Sequence, residues 1–383
     1  MTVFRSQRVL TGGEIVPVDV VIEHDRIVEV APYRSSSAAH DFGSQLLVPG
    51  FVDLHSDAVE KEIEPRPGAT FPIENALVEL DKKLAMSGIT TMFHAIAFND
   101  EALSGRRGTE IAAQLVEAID HCNQTLLSVD NLVHARYEIT SFSSVMVLKK
   151  LIAAGTVQLF SLMDHSPGQG QFTSLSKWKE YHLSAFALSD QKAEEIVEFQ
   201  LAKKNDSLKH IEELAGWATA HRVPIASHDD DRPEKIELMQ RLGITIAEFP
   251  LNIATADHAR KLQMKTGMGA PNIVRGKSQS GNISARQLVE AGCCDFLCSD
   301  YHPTSLLQAV YTLNRAIGIG LSEAFAYVTA TPAAIVGLTD RGRIAADQLA
   351  DLLVIEEQPV PKVVLTIKAG KPVYSGKSCL CIS

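Results

Sequence analysis

The stretch Leu47-Val48-Pro49-Gly50-Phe51-Val52-Asp53-Leu54-His55-Ser56-Asp57 decides how this chain is read. Its apolar run reads as a buried strand, and residues i and i+2 of a strand project the same way. His55 and Asp57 therefore leave one strand end together, with Asp53 on the same parity but deeper. One nitrogen and one oxygen ligand at that spacing can grip a divalent metal. Alone the pair is a weak signal. Its weight comes from a polar residue at nearly every later strand end.

After that strand, apolar runs alternate with amphipathic helical stretches, the pattern of a parallel sheet with crossover helices. Eight runs end near Asp57, Ala95, Glu138, His165, His228, Glu248, Gly269 and Asp300. Helices are expected over 74–87, 109–121, 144–154, 235–242, 257–264 and 284–291. The last is well punctuated, with Ser284 as N-cap, Gln287 three residues on and Gly292 as stop. Eight units with no skipped turn favour a closed (β/α)8 TIM barrel over an open sheet. Residues 166–222 exceed one crossover and predict extra helices at the barrel mouth, such as 191–203.

The chain ends read differently. Residues 18–22 and 26–30 are strand-like around a turn at 23–25, and 350–355 and 363–367 resemble them at the other end. Neither piece can bury a core alone. They are expected to pair into a small β-sandwich from both termini, 1–48 with 340–383, around a barrel of residues 49–339.

The 383 residues suit that combination, and 45% apolar composition describes a soluble globular chain. No run of about 18 apolar residues predicts a membrane span, and the first residues lack a signal peptide's apolar core. Cys122, Cys293, Cys294, Cys298, Cys379 and Cys381 show no metal or disulfide spacing, so reduced thiols in a cytoplasmic protein are expected. Cys379 and Cys381 read as tail. A net charge of −10 argues against nucleic-acid binding. A small anionic substrate would need local cations. A homodimer is compatible with such a barrel, yet no interface is legible.

Barrel chemistry sits at the C-terminal strand ends. Here those ends carry His55, Asp57, Glu138, Asp164, His165, His228, Glu248, Asp300 and His302. One such residue is ordinarily a loop polar, but five or more at one rim make a metal site. His134, Arg136 and Glu138 share a strand face. Glu138 lies nearest the mouth and could bridge two metals, with Arg136 below it as a buried charge partner. The fourth strand holds no lysine to carbamylate, which favours Glu138. His228 ends an apolar run, as a ligand should. The following Asp229 could orient it, while Asp230 and Asp231 read as solvated loop. Asp300 can hold a metal and accept a proton from an attacking water, or it can cap the helix expected over 305–317. His302 is a second acid or a phosphate contact. The candidate metal ligands are thus His55, Asp57, Glu138, His165, His228 and Asp300, for one or two divalent ions. Zinc suits histidine and carboxylate ligands, with manganese and iron as alternatives.

Two loops suggest phosphate handling. After the seventh strand, Gly276-Lys277-Ser278 looks like the end of a Walker A loop, but Pro271 stands where the first glycine belongs. A loop with Gly, Ser and Lys can still hold phosphate, and Arg275 and Lys277 lie in it. After the first strand, Lys61 precedes Pro65-Arg66-Pro67-Gly68, whose prolines would stiffen the loop and hold Arg66. Its alternative is a rigid surface turn.

Pro49-Gly50-Phe51-Val52-Asp53-Leu54-His55, the eight-strand layout and Ala350-Asp351-Leu352-Leu353-Val354 resemble the amidohydrolase superfamily. Within it, residues 55–68, 163–172 (Met163 to Phe172), Ser227-His228-Asp229-Asp230, 269–276 and Ser299-Asp300-Tyr301-His302-Pro303 resemble the phosphonate-metabolism M-protein branch of the carbon–phosphorus lyase pathway. That branch comprises α-D-ribose 1-methylphosphonate 5-triphosphate diphosphatases, and the resemblance spans almost the whole chain. It implies metal-dependent hydrolysis of a ribose 5-triphosphate to the 5-phosphate and pyrophosphate. Asp300 would take the proton from water, and Lys61, Arg66, Arg275 or Lys277 would offset triphosphate charge. Most superfamily members carry His-x-His on strand one, whereas this chain has His55-Ser56-Asp57. Glu248 stands where many relatives place histidine, so either Glu248 or His165 completes the second metal site.

Two rivals stand beside this reading. An amide or C–N amidohydrolase, such as a sugar-phosphate deacetylase, would need fewer cations than two basic loops supply. A metal-free scaffold barrel would lack ligands at the strand ends.

Overall fold

The computed structural model describes residues 1–66, 68–100, 108–166, 190–278 and 281–376. The readings placed on Pro67, on the stretch from Pro167 to Phe172, and on Cys379 and Cys381 lie outside these residues.

Eight parallel strands form one sheet in chain order: Phe51–Ser56, Ile89–Phe98, Asp130–Glu138, Leu159–Met163, Ile225–His228, Ile246–Glu248, Lys265–Gly269 and Phe296–Cys298. A parallel bridge between Ser56 and Asp300 joins the last strand's end to the first. Asp300 N donates to His55 O at 2.9 Å and Asp57 N to Asp300 O at 2.6 Å. The TIM barrel thus closes through the residues the sequence placed at the site. Helices cover the outside, among them Ile73–Ser87, Thr109–Thr125, Ser144–Ala153 and Pro233–Arg241. Ser284 and Gln287 form the expected reciprocal cap on Ala285–Glu290. One 31-residue helix, Asp190–Ala220, leads into the fifth strand. Lys203 on it donates to Asp100 at 2.6 Å, just past the second strand.

The terminal strands join in a separate eight-stranded sheet. Leu46–Pro49 lies antiparallel to Leu352–Glu356, pairing Leu47 with Val354 and Pro49 with Leu352. Phe4, Val20, Ile27, Leu47, Val354 and Leu365 share one core there. Each chain end thereby buries apolar surface it could not bury alone. Gly50 carries the chain from this sheet to the barrel. Its N–H donates to Asp351 O at 2.8 Å, and a Cβ there would sit 2.2 Å from Thr90 Oγ1, so only glycine fits.

The first barrel strand breaks the simple two-residue period. Against Ile89–Phe98, the three steps from Asp53 to Ser56 span two from Met92 to His94, a β-bulge. Val52 and Leu54 pack with Phe93, Leu159, Ala226, Ile246 and Phe296 in one buried cluster, while His55 still reaches the site. Asp53 instead accepts from His55 N at 3.3 Å and Ser299 N at 3.0 Å. It holds the first strand to the last.

That cluster is tightly filled. A Cβ at Gly267 would lie 2.2 Å from Cζ of the fully buried Phe296 ring. Gly267→Ala is expected to lower unfolding free energy by about 1–3 kcal/mol, the usual cost of overpacking. Chemical denaturation would show it as a lower midpoint at unchanged slope, and an unshifted midpoint would mean the ring has room to move.

No helix among the described residues is long and apolar enough to cross a membrane. Cys122, Cys293, Cys294 and Cys298 are free and buried.

Candidate active site

One polar group in the barrel comprises His55, His134 and Glu248, all buried. His134 Nδ1 lies 3.0 Å from Leu54 O, which can only accept. Nδ1 therefore carries the proton, and Nε2 presents a bare lone pair. It points toward Glu248 Oε2 at 3.8 Å and has no hydrogen-bond partner. Burial pushes the His134 pKa down to about 4, so the ring is neutral at pH 7. Burial also opposes charge on Glu248, but His134 and His55 outweigh it and hold its pKa below the ordinary value. His55 Nδ1 lies 3.1 Å from Glu248 Oε2. Burial disfavours a charged His55 ring, yet the Glu248 carboxylate wins and raises its pKa.

Two further groups flank this one. His55, Asp57 and Asp300 bring ligand atoms within 4.8 Å of one another, as do His165, His228 and Asp229. Asp300 adopts φ 60°, which turns it at the strand end. Burial, reinforced by Asp57, raises its pKa to about 6. Glu138 lies beside the second group, with Oε2 at 3.1 Å from His165 Nδ1. Its burial raises its pKa against the pull of His165.

Arg136 lies between these groups. Nη1 donates to Asp57 Oδ1 at 2.9 Å and Nη2 to His228 Nε2 at 2.7 Å. Burial, followed by the Arg136 charge, pushes the His228 pKa well below its ordinary value.

The residues present fit a divalent metal. Glu248 Oε1 and His134 Nε2 are buried polar atoms without a partner. Buried polar atoms are rarely left so, and an acceptor lone pair aimed at a carboxylate calls for a cation between them. His55, His134 and Glu248 could hold it, with Asp57 and Asp300 on the open side.

Of the sequence candidates, His55, Asp57, His165, His228 and Asp300 fall in these three groups, and Glu138 touches the second. His134, which joins His55 and Glu248 in the first group, was not among the candidate ligands. Its signal was the two-residue period it shares with Glu138, but it lies four residues below the rim. The strand Asp130–Glu138 has nine residues and Ile246–Glu248 only three. Through the ladder Glu138–Met163 and His228–Glu248 both strands nevertheless end on one register row, and the tilt and stagger of a closed barrel set Glu248 opposite His134, four residues lower. Asp230, read as solvated loop, is fully buried. Ser227 Oγ donates to it, and Lys235 pairs with it at 3.0 Å.

The basic residues divide. Lys61 lies 4.8 Å above the Tyr301 ring, and Arg275 Nη1 donates to Tyr301 Oη at 3.5 Å. Tyr301, which sequence reasoning passed over, thus gathers one cation from each loop. Arg66, Lys277 and His302 are exposed, and His302 Nε2 lies 2.9 Å from Thr304 Oγ1.

A closed parallel barrel with inward histidines and carboxylates at one rim defines a class of hydrolase, and comparison supports it. The model of the amidohydrolase family matches residues 46–374. The chain belongs to this family, whose members are metal-dependent. It is also 34% identical over 356 residues to the α-D-ribose 1-methylphosphonate 5-triphosphate diphosphatase of Escherichia coli (strain K12), covering 92% of this chain and 94% of that one. Among solved structures, the N-acetyl-D-glucosamine-6-phosphate deacetylase from Mycobacterium smegmatis superposes at TM-score 0.65 and 15% identity, covering 97% of this chain and all of that one. A dihydropyrimidinase from Brevibacillus agri NCHU1002 does so at 0.65 and 11%, covering 98% and 95%. At such identities the structures show the shared fold alone.

Proposed function

We propose that this hydrolase releases pyrophosphate from a ribose 5-triphosphate bearing a 1-methylphosphonate, leaving the 5-phosphate. The observation that carries the reading is the near full-length match to the E. coli diphosphatase. The deacetylase and dihydropyrimidinase likenesses, at 11–15% identity, carry no argument for C–N bond cleavage.

The barrel does the chemistry, and the sheet of the two chain ends, in which Leu46–Pro49 pairs with Leu352–Glu356, braces the first strand. A divalent metal, when bound, polarises a phosphoryl oxygen and acidifies water. His55, His134 and Glu248 would hold it, with Asp57 and Asp300 beside them. Asp300 accepts the proton of the attacking water. Its carboxylate, set beside His55 and Asp57, is placed to act as that base. Glu138, His165 and His228 line the other half of the site. Lys61 and Arg275, gathered by Tyr301, neutralise the departing pyrophosphate in line with the attack. Arg66, Lys277 and His302 lie on the same loops and reach the outer phosphates or the phosphonate. The acidic chain therefore presents a basic mouth to a small anion.

Phosphorus NMR of ribose 1-methylphosphonate 5-triphosphate incubated with zinc- or manganese-loaded protein tests this. Pyrophosphate and the 5-phosphate are the expected products. Unchanged triphosphate, with turnover of an N-acyl sugar phosphate instead, would move the assignment to a C–N hydrolase.

A further inference from the structure

The second half of the site already contains a cation. Arg136 rises from the third barrel strand with its guanidinium buried between the first and second groups of potential ligands. Its two terminal nitrogens are committed, Nη1 to Asp57 Oδ1 at 2.9 Å and Nη2 to His228 Nε2 at 2.7 Å. The consequence for His228 follows from imidazole chemistry. Guanidinium nitrogens only donate, so His228 Nε2 is the acceptor. A neutral ring accepting at Nε2 carries its proton at Nδ1, which lies 3.6 Å from Asp229 Oδ1 and has no hydrogen-bond partner. His228 then has no lone pair left for a metal.

His134 has the opposite arrangement. Its proton is spent on Leu54 O, and its Nε2 lone pair faces Glu248 unpartnered. Two histidines from neighbouring parts of one barrel are thus set in opposite states, one open to a metal and one closed by arginine.

We propose that Arg136 takes the place of a second metal, so that the enzyme holds one divalent ion per chain, at His55, His134 and Glu248. The guanidinium is a fixed charge that cannot be deprotonated. It supplies the second positive charge toward a phosphoryl group, and it repels a further cation from the His165, His228 and Asp229 group. This inference rests on the metal-dependent reading above and specifies its stoichiometry.

The test is a metal count. The full-length protein is stripped with a chelator, reloaded with excess Zn²⁺ or Mn²⁺, desalted and analysed by elemental mass spectrometry. One metal per chain is expected. In the manganese form, the electron paramagnetic resonance spectrum is expected to be that of isolated ions. Arg136→Gln, checked for folding by circular dichroism, is expected to bind a second ion, with the spectrum of a coupled pair. Two ions in the wild-type protein would overturn the inference and leave the metal-dependent reading intact, whether or not the variant folds. A folded Arg136→Gln that still binds one would overturn Arg136 as the excluding group. No metal in the wild type would remove the inference and the metal-dependent reading together.

Discussion

Asp300→Asn is expected to lower kcat by about 10²–10⁴-fold, the range that a positioned general base supplies. The substitution isolates chemistry from folding for a backbone reason. Asp300 adopts φ 60°, a region that asparagine tolerates better than most residues. Its peptide N–H and C=O, bonded to His55 O and Asp57 N, are untouched by the change. The barrel seam therefore stays closed. What is lost is a carboxylate held near pKa 6 by burial and by Asp57, and an amide cannot take up the water proton. Initial rates by phosphorus NMR, with melting temperature and metal content measured on the same preparations, check this. Undiminished kcat would remove Asp300 from the proton transfer. A fall in metal content matching the fall in rate would recast it as a ligand alone.

His134→Ala is expected to abolish tight metal binding, and activity with it. Loss of a partner that merely orients a ligand costs about 10–100-fold in metal affinity. His134 offers its own unpartnered Nε2 at the centre of the group, so a larger loss is expected. The structural cost is separate. The alanine would leave Leu54 O without its donor, worth about 1–3 kcal/mol for a buried acceptor. Thermal unfolding of the metal-free proteins measures that term, and competitive titration against a chelating dye measures the metal affinity. Wild-type affinity in the variant would shift the metal toward the Asp57 and Asp300 side. Taken with a single ion per chain, loss at His134 would leave the protein with none.

Much of the candidate site was legible along the chain because a parallel barrel sends all its strand ends to one rim. Reading strand ends therefore found His55, Asp57, Glu138, His165, His228 and Asp300 without coordinates. The same rule hid His134. It treats the strand ends as one level ring, whereas the strands of a closed barrel are tilted and staggered, so Glu248 faces a residue four positions below Glu138 although the two share a register row. The two-residue period failed at the first strand, where a bulge lets both Leu54 and His55 serve the interior. Asp230 was misjudged because a run of three aspartates looks solvated, and its partner Lys235 lies on the following helix. Tyr301 was overlooked because its role depends on cations from two loops more than 200 residues apart in the chain.

By itself the sequence determined the eight strand–helix units, their order, the union of the two chain ends and the chemical character of the rim. These follow from local periodicity and capping, which each segment carries within about ten or twenty residues of itself. Only the tertiary structure decided which polar groups meet, and in which protonation and hydrogen-bonded state. Leu54 O sets the His134 tautomer, Arg136 donates to His228, and Glu248 faces the bare nitrogen of a mid-strand histidine. Each is a contact between strands distant in sequence. Its geometry comes from barrel closure, strand stagger and a single bulged residue, none of which any one segment encodes.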